Sequence, residues 1–257
     1  MLTTTLTIVF RSLAILGGVL IGLFAYQIYQ YSKGGMKGWK FLSIFGFSLF
    51  FWATTALITK LIGITLLERI TGIIGLLAMA FFVPYAYTRL TDDLKLPGPR
   101  WVTGKVAIGY TSLVILILLG LNVFLPTFMS YPLDKMLSIS HMTLGISLIF
   151  AFVPLWILVS HTKKMAWVIA LAATVFLSFS LFVGQHYDGC CGKNGELTEN
   201  DEYCGMYDLP YVQVTQMSCI GPIVFIGALY QAYLTIGILL LAFSYYELTR
   251  LFRKIMN

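Results

Sequence analysis

The chain has 257 residues, of which 58% are hydrophobic and only 11% charged. A water-soluble domain carries roughly a quarter charged residues, so the composition excludes that class and makes lipid the solvent. The formal net charge of +6 follows from the topology derived below and is no sign of nucleic-acid binding.

In lipid every backbone polar group must be satisfied within the span, which leaves helices or a closed barrel. The apolar runs are roughly 20 residues long and do not alternate, so they read as helices. Seven spans are predicted: Thr7–Tyr29, Phe41–Lys60, Leu66–Tyr87, Lys105–Phe128, Met136–Ser160, Met165–Gly184 and Gly221–Tyr246. The chain is thus expected to be an all-α membrane protein and a single seven-helix transmembrane domain over residues 1–257. The first span carries Arg11 and has no basic segment ahead of it, so it reads as a retained helix and not a cleaved signal peptide.

Lys and Arg set the orientation. Lys33, Lys37 and Lys40, then Arg89, Lys95, Arg100 and Lys105, then Lys163 and Lys164, then Arg250, Arg253 and Lys254 all fall on one face. Together they are twelve of the seventeen basic residues. Arg11, Lys60, Arg69, Lys135 and Lys193 fall on the other. The first face is expected to be cytoplasmic, with the N-terminus outside and the C-terminus inside, in the plasma membrane of a prokaryotic cell.

Three helical hairpins and a closing helix organise the chain. The third span ends in Phe81-Phe82-Val83-Pro84-Tyr85 and the fifth in Phe150-Ala151-Phe152-Val153-Pro154-Leu155. Each runs into a basic turn followed by a tryptophan, Trp101 or Trp167, and the first hairpin has Trp39 at the matching place. Interface anchoring at the headgroup level is the expected role of these tryptophans. Pro84 and Pro154 are expected to kink their spans.

These basic-turn/Trp hairpins, with seven spans, an outside N-terminus and a short basic tail, resemble the seven-helix membrane regions ahead of prokaryotic histidine kinases and related sensors. The resemblance covers most of the chain and carries no diagnostic motif. It implies a sensory or interaction module. The chain departs from that family in its cysteine-bearing loop, and no signalling domain is expected after Asn257.

That loop, Gln185–Ile220, is the one long hydrophilic stretch. It holds Cys190, Cys191, Cys204 and Cys219 and six acidic residues against one basic residue, Lys193. The topology places it outside, where disulfides persist. Four cysteines allow three connectivities, and a ring between the neighbours Cys190 and Cys191 is the least expected. A zinc site from Cys190, Cys191, Cys204 and His186 is the competing reading, but no C-x-x-C spacing supports it. Cys190-Cys191-Gly192 with Ser218-Cys219 is similar to the large outer loop of tetraspanins. Those proteins have four spans and a longer loop, so the similarity reads as convergence on a disulfide pattern. Tyr187, Tyr203, Tyr207 and Tyr211 supply either loop packing or recognition surface.

Intramembrane polar residues are costly and usually face the bundle interior. Arg11, Glu68 with Arg69, Asn122, His141 and Gln231 all fall toward the outer ends of their spans. If their faces converge, they line an outward-facing pocket roofed by the cysteine loop. The plainer alternative is solvated helix ends, a snorkelling Arg11 and a His141 bonded to a neighbour. Gln231, flanked by Tyr230 and Tyr233, is the leading candidate.

The motifs of hydrolases, metalloproteases and phosphate-binding loops are missing. The seventh span holds no lysine for retinal, and no acidic residue sits at a midplane. His141 and His161 lie at opposite ends of one span, which leaves only His141 with His186 for a haem. No metal and no cofactor are therefore expected. The expected function is a non-enzymatic sensory or partner-binding module with an external disulfide-stapled cap. Its partners would be the bilayer and a protein met through the external loop or the basic turns. The alternatives are an accessory subunit of a respiratory or oxidase-type complex and a small-molecule transporter.

Overall fold

The computed structural model describes residues 2–62, 65–98, 109, 112–113, 132–190 and 216–256. Six long helices account for nearly all of them: α1 (Leu2–Tyr31), α2 (Lys37–Ile62), α3 (Thr65–Asp93), α4 (Pro132–Thr162), α5 (Met165–Cys190) and α6 (Gln216–Met256). There is no strand among the described residues. Five of the helices contain stretches long and apolar enough to cross a membrane: Ile8–Tyr31, Lys37–Ile58, Ile70–Asp93, Thr143–Thr162 and Gln231–Ile255. In α5 the described apolar stretch, Met165–Leu181, is shorter.

These helices match the first, second, third, fifth, sixth and seventh predicted spans. The fourth, Lys105–Phe128, lies outside the described residues apart from helical Gly109, Ser112 and Leu113. The helices reach into the hydrophilic stretch from both sides. Helix α5 continues to Cys190 and α6 begins at Gln216, so both ends of Gln185–Ile220 are helical. Hydropathy misses this because a helix does not have to end where its lipid contact ends.

Each helix packs on the next and α6 packs on α1, which closes a ring. Directions are fixed by contacts. The α1–α2 pair is antiparallel, with Ser43 Oγ donating to the Gly22 carbonyl at 2.9 Å and the Arg11 guanidinium donating to the Ala56 carbonyl. The α1–α6 pair is parallel, with Thr235 Oγ1 and Thr249 Oγ1 each 3.4 Å from the carbonyls of Phe10 and Phe24. The outward faces are as apolar as the core: Phe51 is 66% exposed, Ile74 64% and Phe243 50%. Helices hydrophobic all round belong in a lipid solvent.

The turns at one end of the ring repeat a design. Helices α1 and α3 finish in the same two-bond cap. Gly34 N donates to Tyr29 O and Lys33 N to Gln30 O, and likewise Leu96 N to Thr91 O and Lys95 N to Asp92 O. This is a Schellman motif, with Lys33 and Lys95 in the left-handed position usually held by glycine. Lys163 takes the same conformation after α4 and donates to Val159 O. The next helix then starts with a tryptophan as its third residue, Trp39 in α2 and Trp167 in α5. The exposed Lys33, Lys37, Lys40, Lys95, Lys163, Lys164, Arg250, Arg253 and Lys254 all belong to this basic end.

Candidate functional site

The interior of the ring is closed at its basic end by four large side chains from four helices. Trp39 of α2 lies 5.8 Å from Trp167 of α5 between ring centroids, and 5.3 Å from Tyr245 of α6 in an edge-to-face contact. Both distances suit aromatic pairing. Tyr87 of α3 reaches across to Tyr245, and their hydroxyls are 2.8 Å apart. Phe252 closes against Trp39 from below at 6.4 Å. Trp39 is 1% exposed, Trp167 3%, Tyr87 1% and Tyr245 0%.

Local sequence explains how the cluster forms. Small neighbours let the helices approach: at Gly38 an added Cβ would lie 2.7 Å from the Ala86 carbonyl oxygen. The first turn of α2 is further tied to α3 by Gly38 N donating to Asp93 Oδ2 at 3.1 Å. An acidic side chain there satisfies one of the unpaired N–H groups at a helix start. Asp93 also holds Arg89 at 3.2 Å. On the other side Ser244 Oγ donates to the Ala166 carbonyl at 2.7 Å, fixing α6 beside Trp167. Arg253 Nε donates to the Tyr31 hydroxyl at 3.3 Å, linking α6 to α1.

This cluster corrects the expected role of two tryptophans. Trp39 and Trp167 sit near helix ends as interface residues do, but they turn inward and meet. Trp101 lies outside the described residues. Trp156, by contrast, is 62% exposed and faces outward from α4. Sequence reasoning did not single out Tyr87 or Tyr245 at all. The available signal was the small residue before each buried tryptophan, Gly38 and Ala166, which permits close helix approach.

Each hydroxyl of the buried Tyr87–Tyr245 pair is the other's partner. Tyr87→Phe or Tyr245→Phe alone strands one buried hydroxyl and is expected to cost about 1–3 kcal/mol, while the double variant costs less than the sum. Thermal unfolding of the four proteins in one detergent measures the cycle.

Beyond the cluster lies a cavity of about 20 Å³, lined by apolar side chains including Leu49, Leu76, Met79, Leu148 and Leu181. It is large enough for about one water but offers no polar partner, so it is neither a metal nor a charged-ligand site.

The predicted pocket residues are only partly within view. Arg11 is half-buried and its guanidinium donates to the Ala56 carbonyl in the α1–α2 seam. Gln231 is partly buried on α6. Tyr233 stacks on Phe176 at 5.8 Å and meets Phe179 edge-on at 5.1 Å, in the α5–α6 seam. Glu68, His141 and Tyr230 belong to α3, α4 and α6, but their side chains lie outside the described residues. Asn122, Cys191 and Cys204 lie wholly outside them. Cys190 ends α5 and Cys219 sits in the first turn of α6, again without a described side chain. Arg11, Glu68, His141 and Gln231 all fall on the part of their helices remote from the basic turns.

Comparison with protein-family models, curated proteins and solved structures finds no match to this chain.

Proposed function

We propose that this membrane protein is a non-enzymatic seven-span module of the plasma membrane. It receives a ligand or protein partner at the end carrying Arg11, Glu68, His141 and Gln231, and relays that event to its basic end. The observation that carries the reading is the Trp39–Tyr87–Trp167–Tyr245 cluster. It joins α2, α3, α5 and α6 at one point, so a shift of any of these helices is felt by the other three. Packed interiors rearrange between discrete states and do not deform continuously.

Orientation follows from charge. The basic end carries the Lys and Arg residues named above, against Asp92, Asp93 and Glu247, and such an excess favours the cytoplasmic side. Helix direction supports the seven-span reading. Helices α3 and α4 pack together, and both finish at the basic end. The apolar segment Lys105–Phe128 is then the span that returns the chain to the opposite side. The stretch around Cys190, Cys191, Cys204 and Cys219 is accordingly external and disulfide-stapled, above the predicted pocket residues.

The test is hydrogen exchange at the turns around Ser32–Met36 and Lys163–Lys164, comparing the native protein with Gln231→Leu. The relay reading expects altered protection at these distant turns. Unchanged exchange there would sink it. Purification in mild detergent supplies a second check. A lone or homo-oligomeric particle agrees with a sensory module, whereas stoichiometric foreign subunits replace it with the accessory-subunit reading.

A further inference from the structure

The six helices divide into two halves of the same build. Helices α1, α2 and α3 run toward, away from and toward the basic end, and α4, α5 and α6 do the same. Each half opens with a hairpin whose turn holds a left-handed lysine, Lys33 or Lys163, and whose second helix has tryptophan third, Trp39 or Trp167. Each half closes with a helix carrying Thr-Arg-Leu near its basic end, Thr88-Arg89-Leu90 or Thr249-Arg250-Leu251. Both threonines are buried and donate to the carbonyl four residues earlier, Pro84 at 2.9 Å and Tyr245 at 2.7 Å. Between the halves the matching tryptophans meet, and Tyr87 meets Tyr245 from a different register, since Tyr245 matches Pro84 in the Thr-Arg-Leu alignment.

Parallel repeats related by an axis along the membrane normal are an architecture in which one half rocks against the other. Here the halves touch along two parallel seams, α3 on α4 and α6 on α1, and through the aromatic cluster. The α1–α6 seam is held by two long hydrogen bonds of 3.4 Å. Helix α3 carries Pro84 one turn from Tyr87, and α4 carries Pro154. Each proline removes a backbone bond and lets its helix bend at that level. The small apolar cavity lies further in, with Met79 two helical turns along α3 from Tyr87 and the buried Leu42, Val83 and Leu241 between it and the cluster.

We propose that the Trp39, Tyr87, Trp167 and Tyr245 cluster is a closable gate at the basic end of the ring, shut in this structure, with the Tyr87–Tyr245 hydrogen bond as its latch. Opening separates the halves at that end and admits water to the Met79 level, where the freed hydroxyls are hydrated. The device does not depend on what binds at the opposite end, so it can fail while the sensory reading stands, and the reverse.

The experiment introduces Met79→Cys, at a buried residue that lines the cavity, into the full chain in membrane vesicles. A membrane-impermeant methanethiosulfonate is applied to inverted and right-side-out vesicles separately. Modification is read at residue 79 by peptide mass, so the native cysteines stay in place. Lys163→Cys in the same vesicles reports which side the basic turns face. Ala25→Cys, equally buried on α1, reports general loosening. The expected result is slow labelling of Met79→Cys from the basic side. Tyr245→Phe should accelerate it about fivefold, the effect of one net hydrogen bond on an equilibrium. Tyr87→Phe should match it, and the double variant should add nothing further, since both remove one latch. A rate indifferent to Tyr245→Phe, an equal rise at Ala25→Cys, or entry only from the opposite side overturns the gate.

Discussion

Trp39→Ala is expected to lower the unfolding midpoint in detergent by on the order of 10 °C, whereas Trp156→Ala leaves it nearly unchanged. The difference lies in what each indole touches. Trp39 is 1% exposed and meets Trp167, Tyr245 and Phe252, while Trp156 is 62% exposed. In a membrane the usual hydrophobic transfer gain is nearly absent, because lipid tails are as apolar as a protein core. What remains is the lost packing. Removing the indole leaves a void of roughly 120 Å³, and at about 24 cal/mol per Å³ that costs about 3 kcal/mol. Trp39→Phe should recover much of the loss, since it restores a ring against Tyr245. A Trp39→Ala midpoint equal to that of Trp156→Ala would falsify the view of Trp39 as the centre of the basic end. Circular dichroism melts and intrinsic fluorescence of the three variants make the comparison.

The same physics explains which parts of this fold were legible in the sequence. Span length and charge bias need only composition. The six described helices accordingly coincide with predicted spans, and their basic turns gather at one end. Azimuth, meaning which face of each helix turns inward, was not legible. In a soluble helix the polar face marks the outside, but here outward Phe51 and Ile74 are as apolar as inward Leu42 and Leu76, so periodicity carries no signal. Trp39 and Trp167 show the consequence. Their place near a helix end was legible and their facing was not. Arg11 teaches a related lesson. Its guanidinium donates to a backbone carbonyl on the next helix, a partner with no sequence signature. Tyr233 stands two residues beyond the polar candidate Gln231, about 200° round the helix, and its ring lies against Phe176 and Phe179.

What did mark inward faces was the absence of a side chain, and this sets up the second large effect. Gly46→Leu is expected to abolish recovery of folded protein, or to destabilise it by about 3 kcal/mol or more. At Gly46 an added Cβ would collide with the Gly22 backbone nitrogen and lie 2.7 Å from Gly22 Cα, while one at Gly18 would lie 2.8 Å from the Phe50 nitrogen. Gly18 and Gly22, four residues apart on α1, therefore form a flat face on which α2 lies backbone to backbone. Small residues are the standard means of such approach between membrane helices, where van der Waals contact is the main attraction. The neighbouring atoms are backbone and cannot rotate aside, so relief requires moving α1 as a body. That motion would also break the 2.9 Å bond from Ser43 Oγ to the Gly22 carbonyl and the Arg11 contact with Ala56. Gly75 provides the contrast. There the nearest atom to an added Cβ is Trp52 Cβ at 3.3 Å, a contact relieved by a shift of a few tenths of an ångström and not by moving a helix as a body. Alanine gains about 1 kcal/mol over glycine inside a helix, which offsets that tight contact, so Gly75→Ala should be close to neutral. Size-exclusion profiles and thermal midpoints of the two variants measure the difference. If both behave alike, the α1–α2 approach is looser than the glycine contacts imply, and the first half of the ring is not the rigid body that a relay to the basic end requires.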